Sequence, residues 1–267
     1  MKIVIDGDHI CYICLHGIKV LDEIGEPIKI DGKFVYTPKP FSQACEEADK
    51  YILNLFEKTE ATEYIAFIKG SSRSRKEINS SYKSNRVFEK PENYDEFVNY
   101  LIEKWKFIAV TDAETDDYVA SYAYRFPDSI TVSPDKDINN LAGRHYNPRK
   151  NEIIETSISY ERFAFWSDMI SGQSGDGISG LKGKGPKFAE KILKVADEAM
   201  EPYSVTVFAN YIEHYRNTTT AIEEYYKNYM CLKIRKDLPI THEFIEIKYE
   251  QISQHTESTQ DRTDTGF

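Results

Sequence analysis

The stretch that decides the fold is Thr111–Asp137, TDAETDDYVASYAYRFPDSITVSPDKD. Phe107–Val110, just before it, and Ser129–Ser133, inside it, are short apolar runs that read as strands. Between them, Asp116–Phe126 places Val119, Ala120, Ala123 and Phe126 at helical spacing, which predicts a crossover helix between parallel strands. In such a βαβ unit the acidic clusters Glu114/Asp116/Asp117 and Asp135/Asp137 follow the C-terminal ends of their strands. That edge of an open parallel sheet is where ligands bind.

Either cluster alone is also compatible with ordinary chemistry, since acids suit the first turn of a helix and the turn after a strand. A third strand, Lys2–Asp6, with Asp8 two residues on, brings more carboxylates to the same edge. Two like charges about 4 Å apart repel by about 4 kcal/mol at an effective dielectric near 20, so such a pool calls for cations. An all-oxygen donor set points to Mg²⁺ or Mn²⁺.

With 267 residues, 40% of them hydrophobic, the chain can form one large α/β domain and a smaller helical one. No run approaches the roughly 18 apolar residues of a membrane span, and Met1-Lys2 leads straight into a strand without a signal-peptide core. The cytoplasm is therefore expected, with no membrane partner and a monomeric state. A net charge of −10 argues against a general nucleic-acid coat protein, although a basin of carboxylates accounts for much of the excess. Cys11 and Cys14 form a CxxC in an apolar context with no second pair at zinc spacing, so buried reduced thiols are expected.

Further along, Asp31-Gly32 signals a hairpin over residues 27–37, and helices are predicted for Ser42–Glu57 and Glu92–Trp105. The strand Tyr64–Ile68 is followed by a basic segment that includes Lys69, Arg73, Arg75, Lys76, Lys83 and Arg86. Such a run also reads as a solvated face; in the functional reading Tyr82 stacks on a terminal base while Lys83 and Arg86 contact a phosphate. His9 reads as structural. Ser159–Ile170 reads as an aromatic core helix, Ser204–Arg235 as helical, and Phe244–Tyr249 as an edge strand. The segment GLKGKGPKFAEKIL begins with Gly180, Gly183 and Gly185 around Lys182 and Lys184, and continues through Pro186 and Lys187. Glycine turns opening onto a helix N-terminus present N–H groups to phosphates without reading bases, a helix-hairpin-helix signature, the alternative being a Gly-rich loop with solvated lysines.

Taken in order, IVIDGD, SYKSNR, AETDD, SPDKD and SGDGISGLKGKGPK make the chain, from Met1 to about Lys194, resemble the 5′ nuclease superfamily. These are flap endonucleases and 5′ to 3′ exonucleases with a PIN-like fold, and the likeness is greatest to the small bacteriophage exonucleases. The resemblance implies an α/β fold, a mostly parallel sheet flanked by helices, with a helix-hairpin-helix (H3TH) DNA-binding subdomain. Residues 1–155 would form the catalytic domain with an arch at about 69–105, and 156–235 the hairpin and C-terminal helices. Residues 236–253 would hold an edge strand, and 254–267 a disordered tail.

The resemblance also implies two-metal hydrolysis of phosphodiesters at 5′ ends or flaps of DNA, and at RNA primers in an RNA/DNA hybrid. Asp6, Glu114, Asp116, Asp117 and Asp135 would hold one Mg²⁺ or Mn²⁺, and Asp135, Asp137 and Asp176 the other. Lys83 and Arg86 would polarise the phosphate, with Asp6 and Asp135 completing the catalytic set and Tyr82 stacking. Gly180 to Lys187 would grip the duplex, with K⁺ bound in the turn. Two positions depart from the family: Ile68-Lys69 stands where it has an Asp, and Gln173 where it has an acid. Lys69 could substitute for a cation, and Gln173 could offer its carbonyl oxygen. Two alternatives remain, a DNA-junction binding protein of the same fold with impaired catalysis, and a DxD aspartyl-phosphate phosphatase built on Asp6 and Asp8.

Overall fold

The computed structural model describes residues 1–85 and 90–248. Strand β1 (Lys2–Asp6) runs directly into α1 (Asp8–Cys14). Two short antiparallel ribbons follow: β2 (Ile18–Lys19) pairs with β5 (Tyr36–Thr37), and between them β3 (Lys29–Ile30) pairs with β4 (Lys33–Phe34). Asp31 and Gly32 close the inner ribbon with φ of 51° and 77°, the two positive values that an Asp-Gly hairpin turn requires.

The chain continues through α2 (Phe41–Thr59), β6 (Glu63–Ile68), α3 (Arg73–Ile78), α4 (Tyr94–Trp105), β7 (Ile108–Ala109), α5 (Thr115–Arg125), β8 (Ile130–Val132) and α6 (Lys136–Asn139). The hairpin of β9 (Gly143–Asn147) and β10 (Glu152–Thr156) precedes four helices: α7 (Ile158–Ser171), α8 (Pro186–Glu198), α9 (Tyr203–Tyr215) and α10 (Thr218–Leu232). A last strand, β11 (Ile245–Glu246), returns to the sheet.

The main sheet has the order β10-β9-β8-β1-β6-β11, with β7 also on β6. The pairs β8/β9, β8/β1, β1/β6 and β6/β7 are parallel, whereas β10 and β11 run antiparallel to their neighbours. The fold class is thus α/β with a mostly parallel central sheet flanked by helices. The predicted βαβ unit is present as β7–α5–β8, but its two strands are separated by β6 and β1, so the crossover carries its acids to either side of Asp6.

Strand β1 is apolar on both faces, which is what a central strand covered on both sides needs. Ile3 and Ile5 face a core with Ile52 and Leu55 of α2 and Phe97 and Leu101 of α4. Val4, with Ile65 and Phe67 of β6, faces Val119 and Tyr122 of α5. Helices α7 to α10 surround a separate core that includes Met169, Leu193, Val207 and Tyr211.

Several sequence expectations are refined. Strand β7 has two residues, Ile108–Ala109, rather than Phe107–Val110, and Phe107 N is still engaged by Leu101 O of α4 at 3.3 Å. The predicted helical region Ser204–Arg235 is two helices, broken where Arg216 takes a φ of 53° and the Asn217 side chain accepts a hydrogen bond from Thr220 N at 3.0 Å. The β9–β10 hairpin has no counterpart among the predicted elements. The edge strand expected at Phe244–Tyr249 is confined to Ile245–Glu246, and Tyr249 and the tail expected at 254–267 lie outside the described residues. Cys11, Cys14, Cys45 and Cys231 are free and buried. Among the described residues no helix is long and apolar enough to cross a membrane.

The segment after β6 is docked tightly on the loop after α7. Gly177 has a φ of 70°, and a Cβ there would lie 2.2 Å from the carbonyl oxygen of Ser81. Gly177→Ala should therefore lower stability by about 1–3 kcal/mol, read as a fall in the thermal midpoint. An unchanged midpoint would show that this junction yields freely.

Candidate active site

The register of β1 against β8 places Asp6, the last residue of β1, beside Ser133, which follows β8. Ser133 Oγ donates to Asp6 Oδ2 at 2.8 Å, and Asp8 N donates to Asp6 Oδ1 at 3.2 Å. Asp135 caps α6 by accepting from Asp137 N at 2.8 Å. Asp116 lies in the first turn of α5.

Burial, then the charges of Asp8 and Asp135, push the Asp6 carboxyl up to about 7. Asp116 is pushed well above the usual carboxylate range by burial and by Asp6 and Asp135, with Lys83 opposing. Asp6, Asp116 and Asp135 therefore share one electrostatic basin with Lys83 at its side.

Asp8 braces this basin. Its Oδ1 accepts from Lys69 N at 2.7 Å and its Oδ2 from Thr115 Oγ1 at 2.6 Å, tying the ends of β1 and β6 to the start of α5. Gly70 makes that closeness possible, since a Cβ there would stand 2.1 Å from Thr115 N. The Lys69 ammonium is directed away, 3.4 Å from the exposed Asp95, so the expectation that it substitutes for a cation in the basin is not met.

A second group forms around Asp137, whose carboxyl burial and Asp135 push up to about 6. The Gln173 Nε2 donates to Asp137 Oδ1 at 3.0 Å and to Asp168 Oδ2 at 2.7 Å. Gln173 thus presents its nitrogen to the acids and not the carbonyl oxygen that the resemblance suggests. Asp168 is hidden in the sequence because it sits in an aromatic helix that reads as core, and its five-residue offset from Gln173 is no recognisable signal. Asp176 is buried nearby and adds to the charge felt by Asp137, while its carbonyl accepts from Lys83 N at 2.8 Å.

Arg75, which the sequence shows only as one cation in a basic run, is the network's centre. It is 5% exposed, donates to Glu114 Oε2, and reaches Asp117 Oδ1 at 2.6 Å and the Lys233 carbonyl at 2.9 Å. Asp117 also caps the start of α5 and accepts from Arg235 N at 2.8 Å. Glu114 further accepts from Tyr82 OH at 3.0 Å and Lys83 Nζ at 2.9 Å, and the Lys83 and Arg75 cations hold its carboxyl below the usual range despite burial. The placement of Asp117 is thus that of a buried structural anion, and Glu114 is shared among Arg75, Tyr82 and Lys83. Tyr82 is 3% exposed, packed with Ile178 and Cys231, so its ring does not offer the expected stacking face. Arg86 lies outside the described residues.

The glycine-lysine turn packs against the end of α7. Gly180 and Gly183 have φ of 58° and 77°, Gly185 precedes Pro186 at the start of α8, and Leu181 N donates to Ile170 O at 2.7 Å. Lys182 and Lys187 are exposed and Lys184 is half-buried. Among the described residues none of the three makes an ion pair.

Among the described residues no three His, Cys, Asp or Glu groups already form a ready-made metal cage. The donor chemistry nevertheless fits hard cations: oxygen-only groups at a sheet edge, desolvated and driven toward protonation by burial and by neighbouring acids.

The fold is that of the 5′ nucleases. A flap endonuclease of bacteriophage T5, solved as a pseudo-enzyme–product complex with DNA and metal ions, superposes with a TM-score of 0.56 at 20% identity, covering 86% of this chain and 88% of that one. The T5 5′-exonuclease with bound zinc gives 0.55 at 19% identity over 87% and 89% of the two chains. The catalytic core of Rad2 in complex with DNA substrate gives 0.54 at 11% identity over 96% and 86%. In sequence, flap endonuclease Xni of Shewanella baltica (strain OS155) is 35% identical over 95 residues, 31% of this chain and 36% of the relative. The chain thus spans about a third of the length of the curated relatives it matches. No family model matches it.

Two outcomes test this geometry. Arg75→Ala leaves Asp117 buried without a countercharge and Glu114 with Lys83 alone, and should cost about 3–5 kcal/mol in denaturant unfolding. A loss below about 0.5 kcal/mol would show that the network is solvated. For Asp6, a folded value near 7 against an ordinary value near 4 means that the folded chain holds the proton more tightly. Its contribution is most favourable at low pH and is lost as pH rises from about 4 to about 7. In chelator, Asp6→Asn should therefore gain stability relative to the parent as pH is raised from about 4 to about 7; a constant difference would contradict this environment.

Proposed function

We propose that the chain is a divalent-metal-dependent 5′ nuclease that hydrolyses phosphodiesters at 5′ ends or flaps of DNA. The observation that carries this reading is the convergence of Asp6, Asp116 and Asp135 beside Lys83 at the C-terminal edge of the parallel sheet. The likeness to flap endonuclease Xni and to 5′ nucleases solved with DNA and metal ions supports it.

In this reading Asp6, Asp116 and Asp135 would hold one ion, and Asp135, Asp137 and Asp176 a second. Mg²⁺ or Mn²⁺ bound there would supply an acidified water and a Lewis acid for the phosphate oxygens. The protein's own groups do the rest. Lys83 shares its ammonium with Glu114 and can turn toward an incoming phosphate, while Ser133 and the Asp8 amide fix the orientation of Asp6. Arg86 is proposed as a second phosphate contact. Gly180 to Lys187 would hold the duplex backbone as a helix-hairpin-helix, with K⁺ in the turn, and RNA in hybrid duplexes is a further candidate substrate. Residues 1–155 would form the catalytic unit and 156–235 the DNA-gripping one.

The Gln173 amide donating to two acids, and Glu114 and Asp117 being tied to Arg75, favour as a second reading a junction-binding protein with weakened catalysis. One assay separates the two. A 5′-flapped duplex should be cut in Mg²⁺ or Mn²⁺, not in chelator, and Asp135→Ala should abolish cutting while retaining binding. Binding without turnover at saturating Mn²⁺ would leave only the second reading. Replacing Lys182, Lys184 and Lys187 together by Ala should weaken binding for every sequence and lower the salt slope by about one for each phosphate that is no longer neutralised.

A further inference from the structure

Asp168 stands where an acid is poorly favoured. It lies in the last turn of α7, at the negative end of the helix dipole, is half-buried, and makes no ion pair among the described residues. Burial pushes its carboxyl above the usual range, opposed by the Gln173 amide and then by Lys136. The other charges nearby are engaged elsewhere. Lys236 pairs with Glu161 at 2.5 Å and Arg235 with Asp237 at 3.3 Å, while Lys233 and Arg162 lie 5.5 Å and 4.3 Å from the ring centres of Tyr229 and Tyr203. What holds Asp168 is therefore Gln173, whose amide nitrogen is 2.7 Å from Asp168 Oδ2 and 3.0 Å from Asp137 Oδ1. Two carboxylates converge on one donor that carries only a fraction of a positive charge.

We propose that Asp168 is a further carboxylate for the second ion, and that the Gln173 nitrogen keeps that cation's place while no ion is bound. The proposal rests on the reading in which Asp135, Asp137 and Asp176 hold that ion, and adds to it an acid from α7. A divalent cation offsets two converging carboxylates far better than an amide dipole does, so its arrival displaces Gln173 and leaves the oxygens of Asp137 and Asp168 facing the ion, directly or through a bound water. Lys136, 3.8 Å from Asp137 Oδ1 and largely exposed, is free to withdraw into solvent. Room is present as well. Asp137, Asp168 and Gln173 all line a cavity of about 580 Å³, which accommodates the waters that Mg²⁺ retains.

The test is a Mn²⁺ titration of the full chain, with free Mn²⁺ followed by electron paramagnetic resonance and thermal midpoints recorded in chelator. The parent should take two ions. Asp168→Asn, which keeps an oxygen for the Gln173 amide, should weaken the second ion by at least about tenfold and leave the first unchanged. Gln173→Met, which keeps the bulk and removes the competing donor, should tighten the second ion. Both substitutions alter the same contact, so a merely structural role for it would move them in the same direction. In chelator Asp168→Asn should melt no lower than the parent, because the charge it removes is one that the helix end disfavours. Fewer than two ions in the parent, an unchanged second ion in Asp168→Asn, weakening in both variants, or a lower midpoint for Asp168→Asn in chelator overturns the proposal. Two bound ions with the expected pair of shifts but no cleavage of a flapped duplex would sink the nuclease reading and leave the assignment of Asp168 standing; metal-dependent cleavage with equal Mn²⁺ binding by parent and Asp168→Asn would do the reverse.

Discussion

The buried guanidinium of Arg75 is the constraint on which the site's architecture depends. It joins three parts of the chain: α3, the start of α5 through Glu114 and Asp117, and the end of α10 through the Lys233 carbonyl. A desolvated cation between two desolvated anions is stabilising only while all three remain in place, because any one left alone bears the full cost of burial. The segment after β6 is thereby locked against α5, Lys83 is delivered beside Asp116, and the helical part is fastened to the sheet.

Around that lock, the parallel sheet gathers acids whose charges the neighbouring side chains only partly offset. Asp135 raises the proton affinity of Asp6, Asp116 and Asp137, and Asp6 raises that of Asp116 further. Lys83 is shared with Glu114 and opposes only part of this charge. Glu114 and Asp117, by contrast, are paired with cations at 2.6–2.9 Å, which divides the acids into two kinds. The cation-paired acids hold the fold together, and those of the basin are the ones proposed above to take metal ions.

The fold is largely legible in the sequence. Strand β1 is short, apolar on both faces and ends in Asp6, and the 3.6-residue pattern of α5 runs between acids, so unbroken apolar runs and helical spacing indicate a parallel sheet with an acidic edge. The hairpin β9–β10 is not legible, because its outer strand is half polar and carries little alternation. In the site, sequence groups the acids but cannot divide them. Asp116 and Asp117 are adjacent and chemically identical, yet a helix turns successive side chains by about 100°. One therefore meets Asp6 while the other meets Arg75. Arg75, Asp168 and the buried ring of Tyr82 owe their places to contacts over 30 or more positions, or to a helix that otherwise reads as core, and no local pattern carries that information.

The measurement that bears most directly on the account is a crystal of the full chain soaked in Mn²⁺, with anomalous scattering recorded at the sheet edge. The account predicts peaks on both sides of Asp135, one toward Asp6 and Asp116 and one toward Asp137 and Asp176, with Arg75 still between Glu114 and Asp117. A map with no Mn²⁺ at Asp135, or with ions only at Glu114 and Asp117, would contradict it.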